Sequence, residues 1–165
     1  MNINWRSVYY DEDIPRDLQI LVYSSKNPKK EVRLPVHSVI WASSSKFMKH
    51  LYMTRVNDCI KLQSWNETTI EDFIKCLYQI EMPEEPKLEE TEILYALKRR
   101  MDVAVVAEVL GCPAIAQVAE DALRKLWKSS KDGVSESKMN PFKLWIRKTS
   151  IAGTICERLM TESKS

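Results

Sequence analysis

Between Glu31 and Tyr52 the spacing of apolar residues changes from one period to another, and that change restricts the available folds more than any other feature. Val32, Leu34 and Val36 alternate with Glu31, Arg33 and Pro35, which predicts an extended segment with one apolar face as far as His37. From Val39 the apolar residues cluster instead. Val39, Ile40, Trp41 and Ala42 make one short buried turn, and Ser43, Ser44 and Ser45 interrupt it. Ser45 is placed to cap a second short helix, in which Phe47 and Leu51, and Met48 and Tyr52, stand four residues apart. A strand that runs through a histidine into two small apolar helices implies an α+β fold, with a small sheet under a cluster of helices.

The segments on either side extend this pattern. In residues 17–23, Leu18, Ile20 and Val22 fall on one face and Leu21 and Tyr23 on the other, as in a strand buried on both sides. The turn composition of 24–30, with Asn27-Pro28, predicts a hairpin between this strand and residues 31–36. Pro35 has no backbone N–H, so its nitrogen is expected to face away from the partner strand. Residues 54–58 are a polar break, and Cys59 to Leu62 a third short strand with Ile60 and Leu62 facing inward. Ahead of residues 1–16 forming any regular element, Ile3, Trp5, Val8, Tyr9 and Tyr10 are too many apolar groups for a solvated tail. They either cover the chain's own core or reach across to a partner subunit.

Helices dominate the rest. Thr68 and Glu71 suggest a capping box ahead of Ile70, Phe73, Ile74, Leu77 and Tyr78, whose spacing marks a core-facing helix. Pro83 and Pro86, among Glu84, Glu85, Glu89 and Glu90, end that element in an acidic loop. Ile93, Leu97, Met101, Ala104 and Val105 recur at helical spacing, and residues 103–110 are apolar almost all round. Gly111 is placed to stop this helix in the left-handed conformation and Pro113 to start the next, whose stripe is Ile115, Val118, Ala119, Ala122, Leu123 and Leu126. The two are expected to pack as an antiparallel hairpin. The expected organisation is an arm over 1–16, one domain over 17–127, a linker over 128–139 and a C-terminal helical extension over 140–165, opened by Asn140-Pro141.

Composition excludes several function classes. The 25 Lys and Arg against 23 Asp and Glu are spread along the chain and leave a net charge of +2, which disfavours nucleic-acid binding by this segment. Cys59, Cys76, Cys112 and Cys156 form no Cys-x-x-Cys pair and have no histidine at ligand spacing, so free thiols in a reducing compartment are expected, with no metal and no cofactor. The residues after Met1 lack a signal peptide's apolar core, and no run approaches the length needed to cross a bilayer, which predicts a cytoplasmic or nuclear location without membrane contact. With His37 and His50 as its only histidines, the chain is poor in general bases. Ser43 to Ser45 lack a glycine elbow and an acid partner, so no catalytic residue is assigned and an enzyme is not expected. Lys98-Arg99-Arg100 reads as the wet face of a helix.

Residues 17–126 resemble the BTB/POZ domain family. Asp17-Leu18 and the strand after it are similar to that family's Asp-Val opening. Val36-His37 with Val39, Ile40 and Ala42 is similar to its strand-histidine-helix junction, and Ser45-Lys46-Phe47 to its Ser-x-aromatic helix start. Ile60-Lys61-Leu62 resembles its third strand, Phe73 through Leu77-Tyr78 its next helix, and residues 107–111 with Ile115 and Leu123 its closing helical hairpin. Asp17, His37, Ser45, Phe47, Leu77 and Tyr78 are the fold signature on this reading. The sequence departs from the pattern in three places. Ser38 replaces the basic residue that usually follows the histidine. Gln79-Ile80 replaces Thr-Gly, with a longer segment over 81–92. Met53-Thr54-Arg55 stands where cullin-3-binding members carry a hydrophobic-x-Glu triplet.

The resemblance implies a protein–protein interaction and homodimerisation module, a scaffold or oligomerisation domain of the kind found in transcription regulators. The alternative it implies is a substrate adaptor of a cullin-3-type ubiquitin ligase. Its expected partners are a second copy of itself and other proteins, a cullin among them. The expected interface is Trp5, Val8, Tyr9, Trp41, Met48, Tyr52, Met53 and Arg55, since short helices cannot bury so many large apolar side chains internally. His37 is expected as a hydrogen-bonded bridge between strand and helix, and His50 in solvent. No kelch, zinc-finger or ankyrin pattern follows the domain.

Overall fold

A computed structural model describes residues 3–82 and 89–130. The acidic loop over 83–88 and the C-terminal extension over 140–165 lie outside the described residues, as does most of the expected linker over 128–139. The described residues fall into two compact units, one of residues 3–82 with 109–112 and one of residues 89–108 with 113–130.

In the first unit, α1 (Trp5–Tyr10) precedes β1 (Leu18–Tyr23), β2 (Glu31–Val36), α2 (Ser38–Ser44), α3 (Lys46–Met53), β3 (Cys59–Asn66) and α4 (Glu67–Leu77). The three strands form a mixed sheet in the order β2-β1-β3, with β1 antiparallel to β2 and parallel to β3. The expected hairpin forms, with Leu18 opposite Val36 and Tyr23 opposite Glu31. Pro35 lies on β2, an edge strand, where a missing N–H can face open solvent.

The alternation in these strands separates the two faces of the sheet. Leu18, Ile20, Val22, Val36, Ile60 and Leu62 are buried, and α4 packs against all three strands through Ile70, Phe73, Ile74 and Leu77. Trp41 meets Phe73 edge to face at 6.5 Å between ring centres. The other face is hydrophilic: Arg33 donates to the Gln19 side chain at 3.0 Å and Gln63 to Glu31 at 2.6 Å. Leu21 is buried on that face between Arg33 and Lys61 in register. Gln19 and Tyr23 are only half-buried, so β1 is less enclosed than its composition suggests.

Local chemistry explains the boundaries. Asn4 caps α1, its side chain accepting from the Ser7 N–H at 3.2 Å. Ser45 caps α3, accepting from the Met48 N–H at 3.0 Å as expected, and its hydroxyl also donates to the Leu110 carbonyl at 2.6 Å. Asn57 and Asp58 both adopt positive φ, 52° and 57°, and close a two-residue turn between Val56 and Cys59. Asn and Asp tolerate that conformation, and such a turn matches the twist of the flanking strands. The third strand runs to Asn66, four residues past the expected Leu62.

The capping box expected at Thr68 and Glu71 is not what starts α4. Asn66 caps it, accepting from the Thr69 N–H at 2.9 Å, while Thr68 bonds Ser25 and Glu71 pairs with Lys75. The helix ends in a Schellman arrangement, with Ile80 N–H bonding the Lys75 carbonyl and Gln79 N–H the Cys76 carbonyl, both at 3.0 Å. Gln79 therefore takes φ 59°, a left-handed conformation that glycine adopts at lower cost.

The second unit is built from α5 (Glu90–Val109) and α6 (Pro113–Ser130), and the chain between these helices, assigned to the first unit, turns at Gly111 with φ 75°. Helix α6 continues through 128–130, where a linker was expected to begin. Its buried stripe is Ala116, Ala119, Glu120, Leu123 and Leu126, and Val118 faces solvent, because the helix is rotated from the expected phase. Arg100 is buried, donating to the Ala96 carbonyl at 3.1 Å, Lys98 pairs with Asp102 at 3.0 Å, and Arg99 stacks over Tyr95. Of the run 98–100, Arg100 thus departs from the expected wet face, while Lys98 and Arg99 stay half-exposed beside partners on the same helix. Among the described residues no helix is long and apolar enough to cross a membrane.

Candidate interaction surface

One buried hub fixes the start of α2 and the N-terminal arm. His37 ends β2 and begins α2, and its backbone N–H donates to the Tyr78 hydroxyl at 3.0 Å. Its ring uses both nitrogens. A carbonyl can only accept, so Nε2 carries the hydrogen it shares with the Ile14 carbonyl at 3.2 Å, and Nδ1 accepts from the Tyr78 hydroxyl at 2.7 Å. Both side chains are buried. Burial pushes the Tyr78 phenol upward, against the His37 N–H and the Arg16 charge, which favour its ionised form. The bridge expected of His37 is present, and Tyr78, a signature residue with no assigned role, is its partner.

The same hub holds the N-terminal segment. Tyr9 of α1 packs on Tyr78 with ring centres 5.0 Å apart, and Arg16 lies over the Tyr9 ring at 4.8 Å while donating to the Tyr9 carbonyl. Trp5, Val8 and Tyr9 are half-buried, so the arm covers its own chain, and Tyr10 and Ile3 remain exposed. Asp17 then fixes the start of α2, accepting from the Ser38 N–H at 2.8 Å and the Ser38 hydroxyl at 2.6 Å. Burial alone would raise the Asp17 carboxyl, but these bonds outweigh it and hold it below the usual carboxylate range. Ser38 is thereby engaged within the chain.

With α2 fixed this way, its apolar residues divide. Trp41 is fully buried and Ile40 nearly so, whereas Val39 is 61% exposed. On α3, Met48 is fully buried beside the Cys112 thiol, 3.3 Å from its sulfur. Trp41 and Met48 were expected at an interface, and the structure corrects both: each is consumed by the chain's own core. Tyr52 is half-buried under the Arg55 guanidinium, 4.0 Å above its ring. Met53 is 70% exposed. Arg55 is tied down, donating to Asp58 at 3.1 Å and to the Tyr52 carbonyl at 2.9 Å.

Sequence reasoning missed two exposed apolar residues here, Val39 and Val56. For Val39 a signal existed, since it shares the outer edge of α2 with Ser43, four residues on and also exposed. His50 is exposed.

The thiols are quiet. Cys59, Cys76 and Cys112 are free, and burial, aided by Asp72, pushes Cys76 up to about 11. Burial also raises Cys112, against a hydrogen bond with Ser45. Cys156 lies outside the described residues. Among the described residues no three His, Cys, Asp or Glu side chains converge as a metal site would require. No protein-family model matches the chain, and no curated protein matches it at a significant level.

Proposed function

We propose that this chain is a protein–protein interaction module of BTB/POZ type that homodimerises through α1 and α2 and serves as a scaffold or oligomerisation domain. The observation that carries this reading is Val39. It is exposed on a helix that is otherwise locked into the core by Trp41, His37 and Asp17, so a rigid element presents an apolar group outward. Exposed Ile3 and Tyr10, at either end of α1, add to the same kind of surface. A two-fold contact uses such a patch twice, which suits one of modest size.

Equilibrium sedimentation of the whole chain is the test. A dimer mass is expected, and Val39→Asp is expected to yield a monomer with its thermal melt nearly unchanged, because an exposed substitution moves stability by no more than about 0.5 kcal/mol. A monomer for the unsubstituted chain rejects the proposal.

The second reading is an adaptor for a cullin-3-type ligase, and the exposure of Met53 favours it. Arg55 opposes it, standing where the binding triplet has glutamate and already bonded to Asp58. Capture on immobilised cullin-3, with Arg55→Glu as a gain-of-binding control, separates the two.

A further inference from the structure

Helix α3 carries a surface that dimerisation through α1 and α2 does not use. Met48 is buried and Leu51 and Tyr52 are half-buried, whereas Lys46, Phe47, Lys49, His50, Met53 and Thr54 are all exposed. At 3.6 residues per turn these six fall on one arc, with Met53, Lys46 and His50 at its middle, Lys49 on one flank and Phe47 on the other. Val56, just beyond the helix, is 70% exposed. The arc contains no carboxylate, and the nearest one along the chain, Asp58, is occupied by Arg55. Lys46 and Lys49 form no ion pair among the described residues.

We propose that the outer face of α3 docks an acidic helical segment of a different protein, whose carboxylates meet Lys46 and Lys49 and whose apolar side chains seat on Met53 and Val56. The proposal rests on the reading of the chain as an interaction module and names the chemistry of one partner. Charge decides against a second copy as the occupant: a two-fold contact centred on this face sets its lysines against the same lysines. The apolar groups among the cations decide against nucleic acid. So does Arg55, the guanidinium best suited to phosphate, because it is spent on Asp58 and on Tyr52. Lys46 and Lys49 stand three residues apart, a spacing that carboxylates one turn apart on a partner helix can match. Met53, about one turn beyond Lys49 on the same face, supplies an unbranched, adaptable contact.

The test uses the full chain and fluorescence anisotropy with three labelled probes. These are a helix-forming peptide of about 20 residues with leucines on one face flanked by glutamates, the same peptide with every glutamate changed to lysine, and a single-stranded DNA of similar length. The glutamate peptide is expected to bind alone among the three and to weaken as salt is added. Lys46→Glu with Lys49→Glu is expected to lower its affinity about tenfold or more, and Met53→Ser severalfold, with the sedimentation mass of both variants unchanged. Absence of saturable binding by the glutamate peptide overturns the proposal. Equal binding of the lysine peptide or the DNA does so too, as does an affinity that ignores the charge reversal. A failed dimer appears in the sedimentation mass and a failed docking face in the anisotropy, so the two readings fall separately.

Discussion

Helices α2 and α3 follow one another across a single serine and are nearly equal in length, yet they serve opposite ends. Helix α2 carries no charged residue, buries Trp41 and Ile40, and is pinned at its start by Asp17 and by the His37 and Tyr78 hub. Helix α3 buries only Met48 and turns two lysines, a histidine, Phe47 and Met53 to solvent. A helix that supplies the core is specified by what it packs against. One that supplies a surface needs only enough anchorage to hold its outer side chains in place, and here Ser45 and Met48 provide it.

Substitutions probe that contrast directly. Trp41→Ala on α2 is expected to cost about 3–5 kcal/mol, since a large cavity opens beneath Phe73, whereas Phe47→Ala on α3 should stay within about 0.5 kcal/mol. Urea unfolding of the two variants measures the gap, and equal losses would erase the distinction between the helices. Tyr78→Phe removes the hydroxyl that serves His37 twice and leaves a buried N–H and a ring nitrogen without partners, at a cost of about 1–3 kcal/mol. Chemical denaturation should show that loss, with the N-terminal arm becoming sensitive to limited proteolysis.

The smallest effect belongs to Asp17. Its carboxyl is held below the usual range, so its bonds to Ser38 contribute fully above about pH 4 and fade as the pH falls through the folded value. Asp17 is exposed, so solvent screening keeps the contribution under about 1 kcal/mol. Thermal melts of Asp17→Asn and the unsubstituted chain should differ at pH 7 and converge on acidification. A constant difference would show that Asp17 acts through something other than its charge.

The sheet and its hairpin were legible because period-two alternation is a property of neighbouring residues: Val32, Leu34 and Val36 announce their own face. So was the Ser45 cap, whose partner is three residues away. The start of α4 was misplaced because Thr68 and Asn66 are both competent caps, and the choice between them depends on Ser25, 43 residues upstream, which claims Thr68. The phase of α6 was misread for a related reason, since Val118 and Ala116 are equally acceptable to a helix and only tertiary packing selects which is buried. The interface was harder still. Trp41 and Met48 are the large apolar side chains that short helices were expected to leave over, but which of them a core absorbs depends on the space under Phe73 and beside Cys112. The exposed alternatives, Val39 and Val56, are smaller and less conspicuous. His37 was recognisable as a bridge, while the identity of its partner, 41 residues later, was not.

That sequence separation also carries a kinetic consequence. The Tyr78 hydroxyl can reach His37 only once the hairpin, the third strand and α4 are in place, and until then Tyr9 has only its neighbours Tyr10 and Arg16 to pack on. The arm's contacts are therefore expected to form late in folding, after the hairpin and α4 have met. Substitutions at Tyr9 are then expected to hasten unfolding and to leave the folding rate nearly unchanged, which stopped-flow kinetics measures, and an arm held this way would open at a lower free energy than the sheet beneath it.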